Sequence, residues 1–426
     1  MSTAKSKGTR KAPAKRPAAK KPSPKAKVVP IEYSMLLTTT LCLLALGVVM
    51  VFSASSTTSL LGDAGDGAFY LKRTALYGIV GLLALKFLAS GGVKVLRPLT
   101  VPLMALSLFL LVAVMIPGVG IEVNGANRWI GAGLFQIQPS EIAKVALILY
   151  GAQLLASRPK MTRSIGEMGP FLLAVALVSG LVVLEPDLGT AMVACFAAAA
   201  MLIAAGARLR DLAILAGAIG VVIVLAIMIE PYRMERLTGF LNPGSDPSGS
   251  GFQANQAQIA LGSGGLFGVG LGESLQKAFY LPEAHTDMIA AVIGEELGLV
   301  GIAMIIGLFS LFGYAGLQTA RKARDPYAKL LAAGLTSLIV IQAVINLFAV
   351  LGLAPLTGVP LPFVSYGNSS LLTMLAAVGV LLNIARAPGA RLRVVNGDRT
   401  AQSRSSGGRH SRARRARAGS RRRATG

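Results

Sequence analysis

Charge is scarce in this 426-residue sequence: 14% of its residues are Asp, Glu, Lys or Arg, whereas 53% are hydrophobic. With a mean hydropathy of +0.63, the chain carries more apolar surface than a soluble core needs, which excludes an ordinary soluble domain and implies an integral membrane protein. Cysteine is almost absent. Cys42 and Cys195 both sit inside apolar runs and read as small core residues, which excludes a disulfide framework or a thiolate metal site. No GxGxxG or phosphate-loop pattern follows a strand, so a nucleotide site is not expected. Dense acidic clusters and internal repeats are also missing. A cleavable signal peptide is not expected either, because the first apolar run starts near Met35 and is too long for a signal core.

What is abundant is positive charge, and it is concentrated. The net charge is +23. Residues 1 to 30 hold ten Lys or Arg and no acid, while residues 386 to 426 hold thirteen Arg against Asp398. The ends therefore carry +22, and the body between them is nearly neutral. Both tails are low-complexity and cannot bury enough apolar surface to fold alone, so 1–33 and 387–426 are expected to be disordered basic cytoplasmic arms. Attraction to anionic membrane lipid or an acidic partner is a second reading of the same charge. Nucleic acid is not expected as a partner.

About 30 Å of hydrocarbon takes roughly 20 helical residues to cross, and ten apolar stretches qualify. They run approximately Ser34–Ser53, Phe69–Ala89, Pro98–Ile116, Pro139–Ala156, Met168–Leu184, Leu188–Ala205, Leu212–Ile229, Met288–Leu317, Leu330–Leu351 and Ser370–Ala385. Glu185, Pro186 and Asp187 interrupt the fifth and sixth, and a proline between two acids predicts a tight hairpin. Lys and Arg recur on alternate loops, at Lys86, Lys94 and Arg97, then Arg158, Lys160 and Arg163, then Arg208 and Arg210, then Arg321, Lys322, Arg324 and Lys329. That bias predicts an all-α membrane domain over 34–386, ten transmembrane helices, both termini cytoplasmic, and a long outer loop over 230–287 between helices 7 and 8. Within that loop the glycine-rich stretch from Gly262 to Gly272 predicts a close-packed or re-entrant segment.

Ionisable groups in or beside membrane helices usually line a cavity or a pathway, and few are present. Asp287 stands at the expected outer end of span eight, where it reads either as a helix cap or as a general base or metal ligand. His285 is its nearest candidate partner. Glu141 and Lys144, three apart on span four, share a face and can pair. Arg128, next to the lone Trp129, could meet an anionic head group, as could Arg233 and Arg236. Glu185 and Asp187 read as turn formers or cavity acids. Glu295 and Glu296 cannot both face lipid, and periodicity does not decide between them.

Six ordered motifs carry a resemblance. NGANRWIGAGLFQIQPSEIAK (124–144), LEPDLGTA (184–191), YRMERLTGFLNP (232–243), GSGGLFGVGLG (262–272), LPEAHTDMIAAVIGEELGLVG (281–301) and GLAPLTGVPLPFVSYGNSS (352–370) are similar to the SEDS family, the FtsW, RodA and SpoVE proteins. The resemblance spans about 35–386, and YRMERLTGFLNP leans toward the FtsW branch over RodA. It implies a ten-helix peptidoglycan glycosyltransferase that polymerises lipid II at the outer face of the cytoplasmic membrane, in septal cell-wall synthesis. It further implies Asp287 as the essential carboxylate, Glu141, Lys144 and Arg128 around a central cavity, and a class B penicillin-binding protein with other divisome proteins as partners. The family's SYGGS appears here as Ser365, Tyr366, Gly367, Asn368, Ser369, and Asn at 368 raises the question of a positive φ.

Such a transfer needs a base for the attacking hydroxyl and cations for the departing diphosphate. Asp287 is the expected base or ligand of a divalent ion, Mg or Mn, with no organic cofactor. A lipid II flippase or a non-enzymatic divisome scaffold are the alternative functions.

Overall fold

The protein is described from a computed structural model, which covers residues 29–61, 65–123, 125–133, 135–242, 251–277 and 281–386. The basic tails, 1–28 and 387–426, lie outside the described residues. Eleven helices are assigned among the described residues: α1 Ile31–Leu61, α2 Phe69–Val114, α3 Pro139–Ser157, α4 Gly169–Leu184, α5 Leu188–Ala204, α6 Leu209–Ile229, α7 Pro231–Leu241, α8 Phe252–Gly264, α9 Ile289–Lys322, α10 Pro326–Val350 and α11 Asn368–Arg386. The first helix starts at Ile31. Among the described residues, seven stretches are long and apolar enough to cross a membrane, and α4 and α5 are shorter apolar helices. The architecture is that of an all-α membrane protein.

The second and third expected spans are joined by a much shorter connection than expected and fall within one helical element, α2. Two apolar segments, Phe69–Gly91 and Val95–Val114, lie within it. A straight helix would separate Tyr77 from Val114 by about 55 Å. Yet the Tyr77 hydroxyl contacts the Gln136 backbone at 3.3–3.5 Å, and Val114 leads within a few residues into the sheet that contains Gln136. The chain between Val114 and that sheet reaches at most roughly 25 Å, so α2 bends back on itself. The residues available for the bend are Gly91, Gly92 and Pro98, the usual causes of a sharp kink.

One departure from pure helix precedes α3. Strands β1 Ile121–Val123, β2 Ala126–Ala132 and β3 Phe135–Ile137 form an antiparallel sheet in the order β1-β2-β3. Val123 pairs with Ala126 and Ala132 with Phe135, so each hairpin turns through two residues. Asn-Gly at 124–125, with Gly125 at φ 76°, is the standard sequence for such a turn.

The expected hairpin between spans five and six is present, with Glu185, Pro186 and Asp187 joining α4 to α5. The outer loop holds the short helices α7 and α8 in place of a plain loop. At its far end, α9 is interrupted at Gly298, whose φ/ψ of 66°/−161° is non-helical. The break frees backbone groups, and the glycine-rich segment satisfies them. Val269 and Gly270 donate to the Glu295 and Glu296 carbonyls (2.9 and 3.1 Å), while Leu299 and Val300 donate to the Gly265 and Leu266 carbonyls (3.0 and 3.2 Å). Irregular backbone at membrane depth is tolerated where protein supplies such partners. The segment is therefore laced into the break in α9.

The core lies among α3, α5, α9, α10 and α11, whose facing residues are fully buried. In contrast, α6 buries only Asp211 and Ala226, leaving an apolar helix with the exposure expected of a lipid-facing one.

Candidate active site

Four helices begin at one end of the bundle, and contacts link their first turns. The Gln138 amide, just before α3, donates to the Ser369 hydroxyl in the first turn of α11 (2.9 Å). Its side-chain amide reaches Asp187 (3.4 Å), which caps α5 by accepting from the Thr190 amide (2.9 Å). Gly189, in that first turn of α5, abuts the backbone at Thr357, and the neighbouring Gly358 lies against both Arg236 and Asp287. Asp287 in turn precedes α9. Helix N-termini carry partial positive charge, so α3, α5, α9 and α11 together bias this end toward anions.

Asp287 sits in the middle of that arrangement. It is not the helix cap: Met288 occupies that position and makes no side-chain capping bond. The Asp287 carboxylate accepts from the Thr286 hydroxyl (3.3 Å), and its backbone carbonyl accepts from Asn346, which also holds the Val359 carbonyl (2.7 and 2.8 Å). Burial, aided by the nearby Glu283 charge and opposed by Arg236, pushes its pKa up to about 6. Arg236 is held by a bond to the Leu356 carbonyl (3.1 Å).

His285 does not reach toward Asp287 as an acid–base partner in these contacts. Its ring packs between Tyr70 (4.3 Å between centroids) and Tyr366 (5.5 Å), and its carbonyl accepts from the Tyr366 amide (2.9 Å). Burial lowers its pKa below the ordinary histidine range, so the imidazole is neutral at neutral pH. Ser365 closes its own turn, accepting from the Leu361 amide (2.8 Å). Asn368 opens α11 and is absent from the residues of positive φ. The concern that this position needs glycine for its backbone is therefore removed.

The remaining candidates divide by what they hold. Glu141 and Lys144 form a fully buried ion pair at 2.9 Å, and Lys144 also donates to Gln342 (2.7 Å), which ties α3 to α10. Gln342 continues to the Pro360 carbonyl (3.0 Å) and to Ser370. Arg128 donates to the Glu185 and Pro186 carbonyls (2.8 and 2.6 Å), clamping the hairpin. Arg233 donates to the Ala226 and Val183 carbonyls (2.9 and 3.1 Å), near the C-terminal ends of α6 and α4. Glu185 is buried with both carboxyl oxygens unpartnered. Burial and the Asp187 charge push its pKa up to about 8.

Glu295 and Glu296 are both buried, away from lipid. Glu295 accepts from the Ser274 hydroxyl and the Leu275 amide, whereas Glu296 pairs with Lys277 (2.9 Å) and accepts from Ser53 (2.7 Å). Residues that sequence reasoning did not single out as part of the site are Asn346, Gln342, Glu283 and Tyr70. Gln342 and Asn346 were detectable, being two amides one turn apart on one face of an apolar span. The others announce themselves only through contacts made across the fold.

No group of three or more His, Cys, Asp or Glu side chains able to cage a metal occurs among the described residues. Asp287 with Glu283 supplies two carboxylates, a number that suits Mg²⁺ when substrate phosphates provide further oxygens.

Residues 33–388 match the sequence family described as cell cycle proteins, comprising FtsW, RodA and SpoVE. The chain belongs to this SEDS family. It is 43% identical over 357 residues to a protein named probable peptidoglycan glycosyltransferase FtsW from Trichlorobacter lovleyi, covering 83% of this chain and 93% of that one. Stage V sporulation protein E of Bacillus subtilis is 43% identical over 354 residues, covering 83% and 96%. Among solved structures, one described as a peptidoglycan synthase complex that coordinates polymerization and crosslinking superposes with TM-score 0.69 at 30% identity, covering 84% of this chain and 98% of that one. Thermus thermophilus RodA gives 0.61 at 29% identity, covering 84% and 97%. Of the family's branches the chain is most like FtsW.

Proposed function

We propose that this SEDS protein is a peptidoglycan glycosyltransferase that polymerises lipid II, with Asp287 as general base. The single observation that carries the catalytic assignment is a buried Asp287, with a pKa of about 6 and Arg236 nearby, at the end where four helices begin. A carboxylate so placed is ionised at neutral pH yet basic enough to take a proton as a hydroxyl attacks. In the reaction, a sugar hydroxyl oxygen of one lipid II forms a bond to the anomeric carbon of the other substrate. The anomeric carbon–phosphate oxygen bond breaks, polyprenyl diphosphate leaves with the bonding electrons, and Asp287 receives the hydroxyl proton.

Charge on the departing diphosphate develops where Arg236 and the helix N-termini supply positive potential. Lys144, Arg128 and Arg233 act differently from Arg236. Their bonds to Glu141, to the hairpin and to helix ends fix the walls of the site. Asp287 and Glu283 would hold a divalent ion, which when bound supplies further neutralisation of phosphate charge.

The alternating Lys and Arg loops support placement in the cytoplasmic membrane with both tails inside and Asp287 at the outer face. Likeness to FtsW supports work at the division septum, and likeness to a peptidoglycan synthase complex supports a class B penicillin-binding transpeptidase as partner.

The test is polymerisation of labelled lipid II by the purified full chain with that transpeptidase and a divalent cation, comparing wild type with Asp287→Asn. A folded, partner-bound variant with polymerisation reduced by roughly 10²–10⁴-fold supports the base. Equal polymer from both removes Asp287 from the chemistry. No polymer from either, where a known polymerase works, returns the protein to the flippase or scaffold reading.

A further inference from the structure

Asp287 is carried by a piece of helix that the rest of α9 does not hold directly. Residues 289–297 form a half-helix that ends at the Gly298 break, and Asp287 lies just before its first turn. With helical continuity lost at Gly298, the position of this half-helix relative to the bundle depends on other bonds. At its N-terminal end Asn346 holds the Asp287 carbonyl. At its C-terminal end, beside the backbone bonds from Val269 and Gly270, side chains fix it: Glu295 binds Ser274 and the Leu275 amide, and Glu296 binds Lys277 and Ser53.

Ser53 lies on α1, and Lys277 on the segment after the glycine-rich stretch. The Lys277 ammonium is buried and fully used, donating to Glu296 (2.9 Å), to the Gly272 carbonyl (2.6 Å) and to Ser53 (3.2 Å). One cation thus joins three elements: α1, the glycine-rich segment and the half-helix. A buried ion pair is poor evidence for stability, because desolvation offsets its attraction. Its geometry makes better sense as a means of registering parts.

We propose that Lys277, paired with Glu296 and Ser53, is a positioning residue: it docks the half-helix on α1 and thereby sets where the Asp287 carboxylate stands in the site. This rests on the reading of Asp287 as the catalytic base. Lys277 itself does not touch the reacting atoms in this assignment.

The test uses the full chain with its transpeptidase partner in nanodiscs. Lys277→Gln combined with Glu296→Gln removes both charges together, so that neither is left buried and unpaired. Two readouts are taken: lipid II kinetics, and the distance between spin labels at Leu60→Cys on α1 and Pro282→Cys before the half-helix, with Cys42→Ser and Cys195→Ala as background. The expected result is a fall in kcat of roughly 10–100-fold with KM unchanged, together with a broadened or displaced label distance. Lys277→Arg, which keeps the pair, is expected to restore both.

An unchanged kcat in the doubly neutral variant overturns the proposal, as does a loss of kcat with an unchanged label distance. If the doubly neutral protein fails to fold, the charge-reversed pair Lys277→Glu with Glu296→Lys decides. Wild-type distance and kcat in that variant support the proposal, as does a joint change of both, and a folded reversed pair in which kcat falls while the distance stays at the wild-type value overturns it. If the wild type does not polymerise lipid II, the function reading fails by itself, and the label distance still decides whether the pair positions Asp287.

Discussion

Glu185 shows how one residue's environment dictates its chemistry. Buried in the hairpin with both carboxyl oxygens unpartnered, it folds most favourably as the neutral acid, and its pKa is raised from 4.5 to about 8. The folded state therefore binds a proton more tightly than the unfolded chain does. Its stabilising effect is fully present below about 4.5 and is lost as pH rises through about 8. Glu185→Gln, which is neutral at every pH, is expected to flatten this dependence. Thermal unfolding in detergent should show the variant more stable than wild type at pH 9, and the difference should shrink toward pH 5. A gap that does not change with pH would mean that the Glu185 carboxyl is solvated. Arg128 stabilises the same hairpin through backbone carbonyls, and its charge opposes, without outweighing, the upward shift of Glu185.

At the scale of elements, the α9 break is the feature on which the site depends most. Gly298 has positive φ, and a methyl group there would overlap the Gly268 amide and the Leu266 carbonyl. Neither the left-handed backbone nor the close approach of two chains accommodates a Cβ. Gly298→Ala is expected to lower stability by about 1–3 kcal/mol, read as a lower thermal midpoint. Gly307→Ala, on the same helix with nothing within 4 Å of its added methyl, should be neutral or mildly stabilising. Similar midpoints for the two would mean that the break is relaxed. The turn-back in α2 was expected from two apolar spans parted by Lys94 and Arg97. Harder to foresee were how few residues make it and the three-stranded sheet, whose strands of three to seven residues leave little periodicity, although Asn124-Gly125 marks one hairpin.

For the molecule as a whole, the tails and the body are separate problems. The tails carry nearly all the net charge, while every candidate catalytic group lies between 128 and 365. Removing 1–28 and 387–426 is therefore expected to leave lipid II polymerisation by the remaining chain close to the full-length rate, measured side by side in one membrane preparation. Loss of polymer on truncation, with Asp287→Asn harmless, would instead favour a scaffold.

Composition, the spacing of apolar runs and the placement of Lys and Arg were enough to identify a helical membrane protein and to locate its hairpin, because burial in lipid makes both helix length and charge placement costly to vary. Asp287 was also legible, as an acid directly before an apolar span. What periodicity could not decide was which way each buried acid points. Glu295 and Glu296 are adjacent in sequence and both turn inward, because Ser274, Lys277 and Ser53 arrive from residues more than fifteen positions away to bind them. The same holds for Asn346 on the Asp287 carbonyl and for Gly358 between Asp287 and Arg236. Local sequence sets what a residue would cost to bury. Only the tertiary structure decides whether a partner is there to meet that cost, since the partners come from segments that touch nowhere but in the folded chain.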